Sequence, residues 1–123
     1  MESYHDDRIS FEIKDGIIYC TFHVEYMDYK LVDEAIKKRL ELVKDGSYPM
    51  LSDLSKVKGI SKEARERMSE EDGLIGLPAM AGIYRTKFQM IVISIYEMIY
   101  TPKVPSKYFK NREKALAWLQ QFK

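Results

Sequence analysis

The strongest constraint on the fold is a pair of apolar segments separated by Asp15-Gly16. Residues 8–14 alternate between apolar and polar side chains, which is the period of a strand with one buried face. Asp-Gly favours a two-residue turn because both positions tolerate a positive φ. Residues 17–24 are rich in β-branched and aromatic residues. The sequence therefore predicts an N-terminal β-hairpin, preceded by a polar and disordered segment at residues 1–7.

Beyond the hairpin, helical and strand patterns alternate to the end of the chain. Asp28 is placed to cap a first helix, and Gly46 is placed to end it in a left-handed conformation. Further helices are predicted to begin at Ser61, Ser69, Thr86 and Asn111. Further strands are predicted at residues 49–54, 79–84 and 107–109. This order predicts one α/β domain over residues 8–123, with a mixed sheet of about five strands.

Composition excludes several classes of protein. The chain has 20 Lys and Arg against 19 Asp and Glu, a balance that argues against nucleic-acid binding. Cys20 is the only cysteine, so no disulfide can form within the chain. The N-terminus lacks the pattern of a secretory signal, and no apolar segment reaches the length of about 20 residues that spans a bilayer. We therefore expect a cytoplasmic protein without a transmembrane segment.

Three segments resemble a known family. They are "IKDGIIY" at residues 13–19, "YPMLSDLSKVKGISKEAR" at residues 48–65 and "PSKYFKNREKALAWL" at residues 105–119. Together with the element order, they resemble the SpoIIAA-like (STAS/SEC14-like) group of small bacterial proteins, which is related to anti-sigma factor antagonists. The resemblance implies a STAS-like fold and a non-enzymatic protein-interaction or regulatory module. The similarity to SEC14-like domains implies an alternative function, the binding of a small ligand or lipid.

Ser61 is the candidate regulatory phosphosite. When Asp53-Leu54-Ser55 is aligned with the strand end of the resembled pattern, Lys62 falls on the phosphoacceptor position. A shift of one residue would instead place Ser61 there. Phosphate at a helix N-terminus would be favoured by the free N–H groups and the helix dipole. The competing interpretation is that Ser61 only caps the helix.

A second candidate site lies at the edge of the predicted sheet. Asp53 ends a predicted central strand, and Arg85 and Thr86 follow another. Ligands gather at the carboxyl ends of strands in open α/β sheets, so these residues could hold an anion or a polar ligand. The alternative is local capping and an ordinary ion pair. No nucleophile–base pair, metal-ligand spacing or phosphate loop is present, so we expect no enzyme, metal or cofactor.

The helix predicted at residues 86–100 carries more apolar surface than one sheet contact needs. Its predicted core face consists of Phe88, Ile91, Val92, Ile95 and Ile99. A flank is left over as a candidate interface, formed by Met90, Ile93, Tyr96 and Tyr100. That flank favours a homodimer or a protein partner. The alternatives are a helix buried on two sides and a helix that forms the wall of an apolar pocket.

Overall fold

The computed structural model describes residues 3–123. Over these residues the strands are β1 Ser3–His5, β2 Ile9–Lys14, β3 Ile17–Phe22, β4 Tyr26–Met27, β5 Met50–Asp53, β6 Gly59–Ile60, β7 Met80–Ile83 and β8 Ser106–Phe109. The α-helices are α1 Tyr29–Val43, α2 Lys62–Met68, α3 Lys87–Ile99 and α4 Arg112–Leu119. Short 3₁₀ helices cover Glu71–Leu74 and Gln120–Phe122.

A mixed sheet of six strands organises the domain, in the order β1-β2-β3-β5-β7-β8. The first three strands are antiparallel, and β3, β5, β7 and β8 run parallel to one another. The parallel pairs follow from the helices that connect them, because a crossover returns the chain to the same end of the sheet. β4 and β6 form a separate parallel pair. The predicted mixed α/β fold is confirmed, with six strands in the main sheet instead of about five.

The sixth strand comes from the segment that was expected to be disordered. Ser3–His5 pairs antiparallel with β2 and forms the edge of the sheet. The Tyr4 hydroxyl donates to Asp6 at 2.7 Å, and His5 Nδ1 lies 2.6 Å from the Ser10 hydroxyl. The free edge of a hairpin offers unpaired N–H and C=O groups, which this segment satisfies. Residues 1 and 2 of the expected disordered segment lie outside the described residues.

Local turn chemistry was predicted well at the hairpin and less well elsewhere. Asp15 and Gly16 have φ values of 53° and 78°, as the turn requires. At the end of α1, however, the residue with positive φ is Lys44 and not Gly46. Gly46 is instead a close-packing position, because a Cβ there would lie 2.8 Å from Tyr48. Ser69 caps no following helix: it ends α2, and the 3₁₀ helix begins without a side-chain cap.

Alternating side chains divide the core between the two faces of the sheet. One face packs against α1 and α2 through a cluster that includes Phe11, Ile18, Cys20, Val32 and Ile36. The other face packs against α4 through a second cluster, formed by Ile17, Leu51, Ala79, Ala81, Ile83, Ala115 and Leu119. Both clusters are buried, so the sheet is covered on both sides. Helix α3 is the element that does not follow this pattern.

Candidate functional site

Gln89 anchors the N-terminal end of α3. Its side-chain oxygen accepts hydrogen bonds from the backbone N–H groups of Arg85 and Thr86. With the Thr86 hydroxyl, which accepts from Gln89 N at 3.1 Å, this completes the predicted capping box. The Gln89 amide nitrogen also shares its two N–H groups among three carbonyl oxygens of the preceding loop, those of Leu54, Ser55 and Val57, at 2.7 to 3.2 Å. These bonds fix which face of α3 turns toward the sheet.

The face that turns inward is not the predicted core face. The inward residues are Val92, Ile93, Tyr96, Glu97 and Tyr100, and none of the residues of α3 is fully buried. On the outside lie Phe88, Ile91, Ile95, Met98 and Ile99, which are 54% to 84% exposed. The predicted core face was therefore wrong in four of its five positions, because Gln89 pulls the less apolar side of the helix inward.

A cavity of about 380 Å³ separates α3 from the sheet. Ile93, Tyr96 and Tyr100, three of the four residues of the candidate interface, line its roof. The fourth, Met90, lines a shallow depression on the outer side of α3. The walls come from the first core cluster and from α2, through apolar side chains such as Phe22, Val32, Ile36, Ile60 and Met68. The volume lies within the range of about 300–1,000 Å³ that is typical of small-molecule sites.

One cross-strand row of the sheet builds the cavity floor. Cys20, Ser52, Gly82 and Tyr108 are register partners on β3, β5, β7 and β8. Gly82 lets the Tyr108 ring lie against the sheet, since a Cβ at Gly82 would stand only 2.5 Å from Tyr108 Cδ1. Any larger residue at Gly82 would displace the ring. The floor therefore presents a thiol, a hydroxyl and an aromatic ring in one row.

The lining of the cavity is mainly apolar and includes polar groups on several elements, among them Arg39, Lys58 and Lys103. Three oxygen-bearing groups, those of Ser52, Tyr108 and Glu97, lie on its floor and roof. Ser52 is 4% exposed, and its hydroxyl makes no hydrogen bond to another described residue. Burial, together with the nearby Glu97 carboxylate, raises the pKa of the Tyr108 hydroxyl. Burial likewise raises the pKa of Glu97 on the roof, although a hydrogen bond with the Tyr108 hydroxyl opposes this effect. A mostly apolar space with a few polar groups is the usual composition of a small-molecule site.

Cys20 contributes no reactive thiolate to this floor. Burial raises the pKa of its thiol, so the neutral form dominates at physiological pH. Nucleophilic cysteines need the opposite shift, from a neighbouring cation or a helix N-terminus. The residue acts as a small apolar part of the floor, as its alternation with Ile18 and Phe22 in the sequence predicts.

The predicted edge site is not assembled as an open anion site. Asp53 accepts from the backbone N–H of Ser55 at 3.0 Å and pairs with Arg112 at 3.2 Å, rather than with Arg85. Thr86 uses its hydroxyl in the capping box. Arg85 is exposed, and its backbone N–H is bonded to Gln89. These contacts are those of the alternative interpretation, local capping and an ion pair.

Ser61 occupies the N-cap of α2. Its hydroxyl accepts a hydrogen bond from the backbone N–H of Ala64 at 3.1 Å. Lys62, which the alignment places on the phosphoacceptor position, is exposed at the first position of the helix. Phosphorylation of Ser61 stays a prediction, and its hydroxyl has a structural use without it.

Ser52, Glu97 and Tyr108 were not singled out from the sequence, although two of them carry a signal. Ser52 is a polar residue at a core-facing position of a predicted central strand, and Glu97 is the only charged residue between Lys87 and the end of α3. A polar or charged residue at an otherwise apolar position indicates that its side chain has a polar partner or lines a cavity. No local signal marks Tyr108, because its position depends on the register with Gly82.

Among the described residues, no helix is both long and apolar enough to cross a membrane. No curated protein matches the chain. A solved structure from Shewanella loihica PV-4, an uncharacterised DUF3478 protein with a SpoIIAA-like fold, is similar with a TM-score of 0.69 and 19% identity. The similarity covers 95% of this chain and 98% of that one, and it shows a SpoIIAA-like fold. A family model described as a domain of unknown function, DUF7793, matches residues 11–123, and the chain belongs to that family.

Proposed function

We propose that the protein is a non-enzymatic STAS-like module that binds a small and mainly apolar molecule between the sheet and α3. The SpoIIAA-like fold supports the general class of module. The observation that carries the ligand is the cavity of about 380 Å³ under α3. An apolar helix ordinarily buries its inner face against a filled core, whereas α3 leaves a space beneath it.

The polar side chains on the floor and roof of the cavity indicate the chemistry of the ligand. Ser52 and Tyr108 on the floor can each donate or accept a hydrogen bond, and Glu97 on the roof can accept one. A molecule with an apolar body and one hydroxyl or amine group would satisfy these groups while covering the apolar walls. A site of this volume suits a ligand with one short chain or ring system better than a diacyl lipid.

We predict that the cavity binds medium-length alcohols, which carry this combination of groups. Isothermal titration calorimetry with octanol and decanol would measure it, with one molecule bound per chain. The test variant is Ile93→Trp, which places an indole in the roof of the cavity. The matched control is Ile91→Trp on the exposed side of the same helix.

We expect Ile93→Trp to weaken alcohol binding by at least about tenfold, because its side chain competes for the apolar space. Ile91→Trp should leave the affinity unchanged. Saturation with ligand at about 100 times Kd should also stabilise the fold by about 2.7 kcal/mol. Equal affinities for the two variants, or no binding by the unmodified chain, would contradict a ligand site in the cavity.

The other candidate function is that of a protein-interaction module that self-associates. The sequence favours this function through the candidate interface on α3. Three of its four residues, Ile93, Tyr96 and Tyr100, line the cavity and are not on the outer surface. The observation that now favours it is the exposed apolar side of the same helix. Sedimentation at high micromolar concentration tests it: a monomer would count against self-association.

A further inference from the structure

The outer side of α3 is an exposed apolar stripe with helical spacing. Five of the eight large apolar or aromatic side chains that are exposed among the described residues lie on it. These are Phe88, Ile91, Ile95, Met98 and Ile99. Single exposed apolar residues are ordinary, but a contiguous patch of this kind marks a surface that something covers. We call this set the outer stripe.

Two lysines lie beside the outer stripe, in a segment of the chain that is rich in basic residues. Residues 84–112 contain six basic residues and one acidic residue, whereas the rest of the chain contains fourteen basic and eighteen acidic residues. The one acidic residue, Glu97, faces the cavity. Lys87 and Lys110 line the depression beside Met90, Ile91 and Ile95. Of the six basic residues, Arg112 alone has a carboxylate partner among residues 3–123. The surface therefore offers an apolar stripe with Lys87 and Lys110 beside it, and neither lysine has a carboxylate partner among residues 3–123.

We propose that the outer stripe docks onto a lipid bilayer that contains anionic headgroups. An amphipathic helix lying in the membrane interface needs apolar side chains on one side and cations that reach the headgroups. Each lysine or arginine near such a surface strengthens the attraction. The outer stripe and its neighbouring lysines provide both parts. This surface is separate from the cavity, so the inference does not depend on a ligand beneath α3.

A second copy of the chain fits the same surface less well. A two-fold contact places the same patch on both partners. Two copies of this patch would bring Lys87 and Lys110 of one chain close to those of the other. Such like-charge contacts oppose association, whereas anionic lipid headgroups neutralise them. Charge complementarity therefore favours the bilayer surface.

The experiment is co-sedimentation of the full chain with vesicles of phosphatidylcholine alone and of phosphatidylcholine mixed with phosphatidylglycerol. We expect binding to the mixed vesicles, weak binding to the neutral ones, and a loss of affinity as salt screens the cations. Ile95→Ser should weaken binding by about tenfold or more. Its control is Ile75→Ser, which removes the same side chain at the same 54% exposure outside the stripe and should have no effect.

Two double variants test the contribution of the lysines that lie beside the outer stripe. Lys87→Glu combined with Lys110→Glu should weaken binding to the mixed vesicles by at least about tenfold. Lys14→Glu combined with Lys30→Glu makes the same change in net charge at exposed positions outside the patch and should have a much smaller effect. Equal binding to both vesicle types, or equal effects of the stripe and control variants, would overturn the proposal. So would a dimer that Ile95→Ser dissociates in a chain that binds neither vesicle. Ile93→Trp should lose alcohol binding and keep vesicle binding, so the two proposals can fail separately.

Discussion

Helices α3 and α4 lie over opposite faces of the same sheet and use their apolar residues in opposite ways. In α4, Ala115 and Leu119 have no exposed surface and complete a filled core. In α3, which is longer and far more apolar, no residue is fully buried. The inner side of α3 covers a cavity, and its outer side is exposed. The apolar content of a helix therefore indicates that something covers it, but not whether a core, a ligand or another surface does so.

The largest expected effect sharpens this contrast between the two helices. Leu119→Ala removes a fully buried side chain from a filled core and should lower the free energy of unfolding by about 2–5 kcal/mol. Ile95→Ala removes a similar number of atoms from an exposed position and should change it by less than about 0.5 kcal/mol. Urea denaturation followed by circular dichroism measures both. A loss at Ile95 as large as that at Leu119 would mean that the outer stripe is buried in solution.

A smaller effect is expected at the anchor of α3. Gln89→Ala removes the donor to three loop carbonyls and one half of the capping box. It should lower the free energy of unfolding by about 1–3 kcal/mol. Hydrogen exchange should become faster across α3 while α4 keeps its protection. Gln121→Ala, which removes one exposed bond to the Trp118 carbonyl, is the matched control and should have little effect. Uniformly faster exchange in both helices would argue against a local role for Gln89.

The smallest predicted effect depends on pH and concerns Glu97. Burial raises its pKa in the folded state. The folded protein therefore favours the protonated acid, and this contribution to stability is present below the unfolded pKa and lost as the pH rises through the folded one. Glu97→Gln should raise the melting temperature at neutral pH, with a difference that disappears below about pH 4.

Thermal denaturation across this pH range would follow the effect of Glu97→Gln. Glu66→Gln makes the same substitution at an exposed position of α2 and provides the control. A decrease in melting temperature at neutral pH for Glu97→Gln would mean that the carboxylate is stabilised by a partner. In that case the hydrogen bond with Tyr108 would outweigh the cost of burying Glu97, and the carboxylate would not be open to a ligand.

Several features of the fold could be predicted because their causes are local. The hairpin turn at Asp15-Gly16 depends on two positive φ angles, and the capping box of Thr86 and Gln89 depends on residues three positions apart. The N-caps Asp28, Ser61 and Asn111 follow the same rule. The left-handed end of α1 was misplaced at Gly46, because Lys44 adopts the conformation despite having a Cβ. Local interactions therefore predict the secondary-structure elements, with errors of a few residues at their ends.

The candidate site could not be predicted to the same extent, because its residues meet only through the register of distant strands. Ser52 and Tyr108 join one row because Met50–Asp53 and Ser106–Phe109 each pair with Met80–Ile83. The ring of Tyr108 needs Gly82 on the neighbouring strand. Periodicity gives the faces of a strand but not its partners, so these contacts are hidden in the sequence.

The hairpin, the N-caps of the four α-helices and the element order of a mixed sheet follow from the sequence, since propensity and spacing act within a few residues. The tertiary structure decided that Ser3–His5 closes the edge of the sheet and that α3 turns Tyr96 and Glu97 inward. Both sides of α3 are apolar, so its periodicity leaves the rotation open. The three Gln89 bonds to the loop at residues 54–57 fix that rotation, and with it the cavity and the outer stripe.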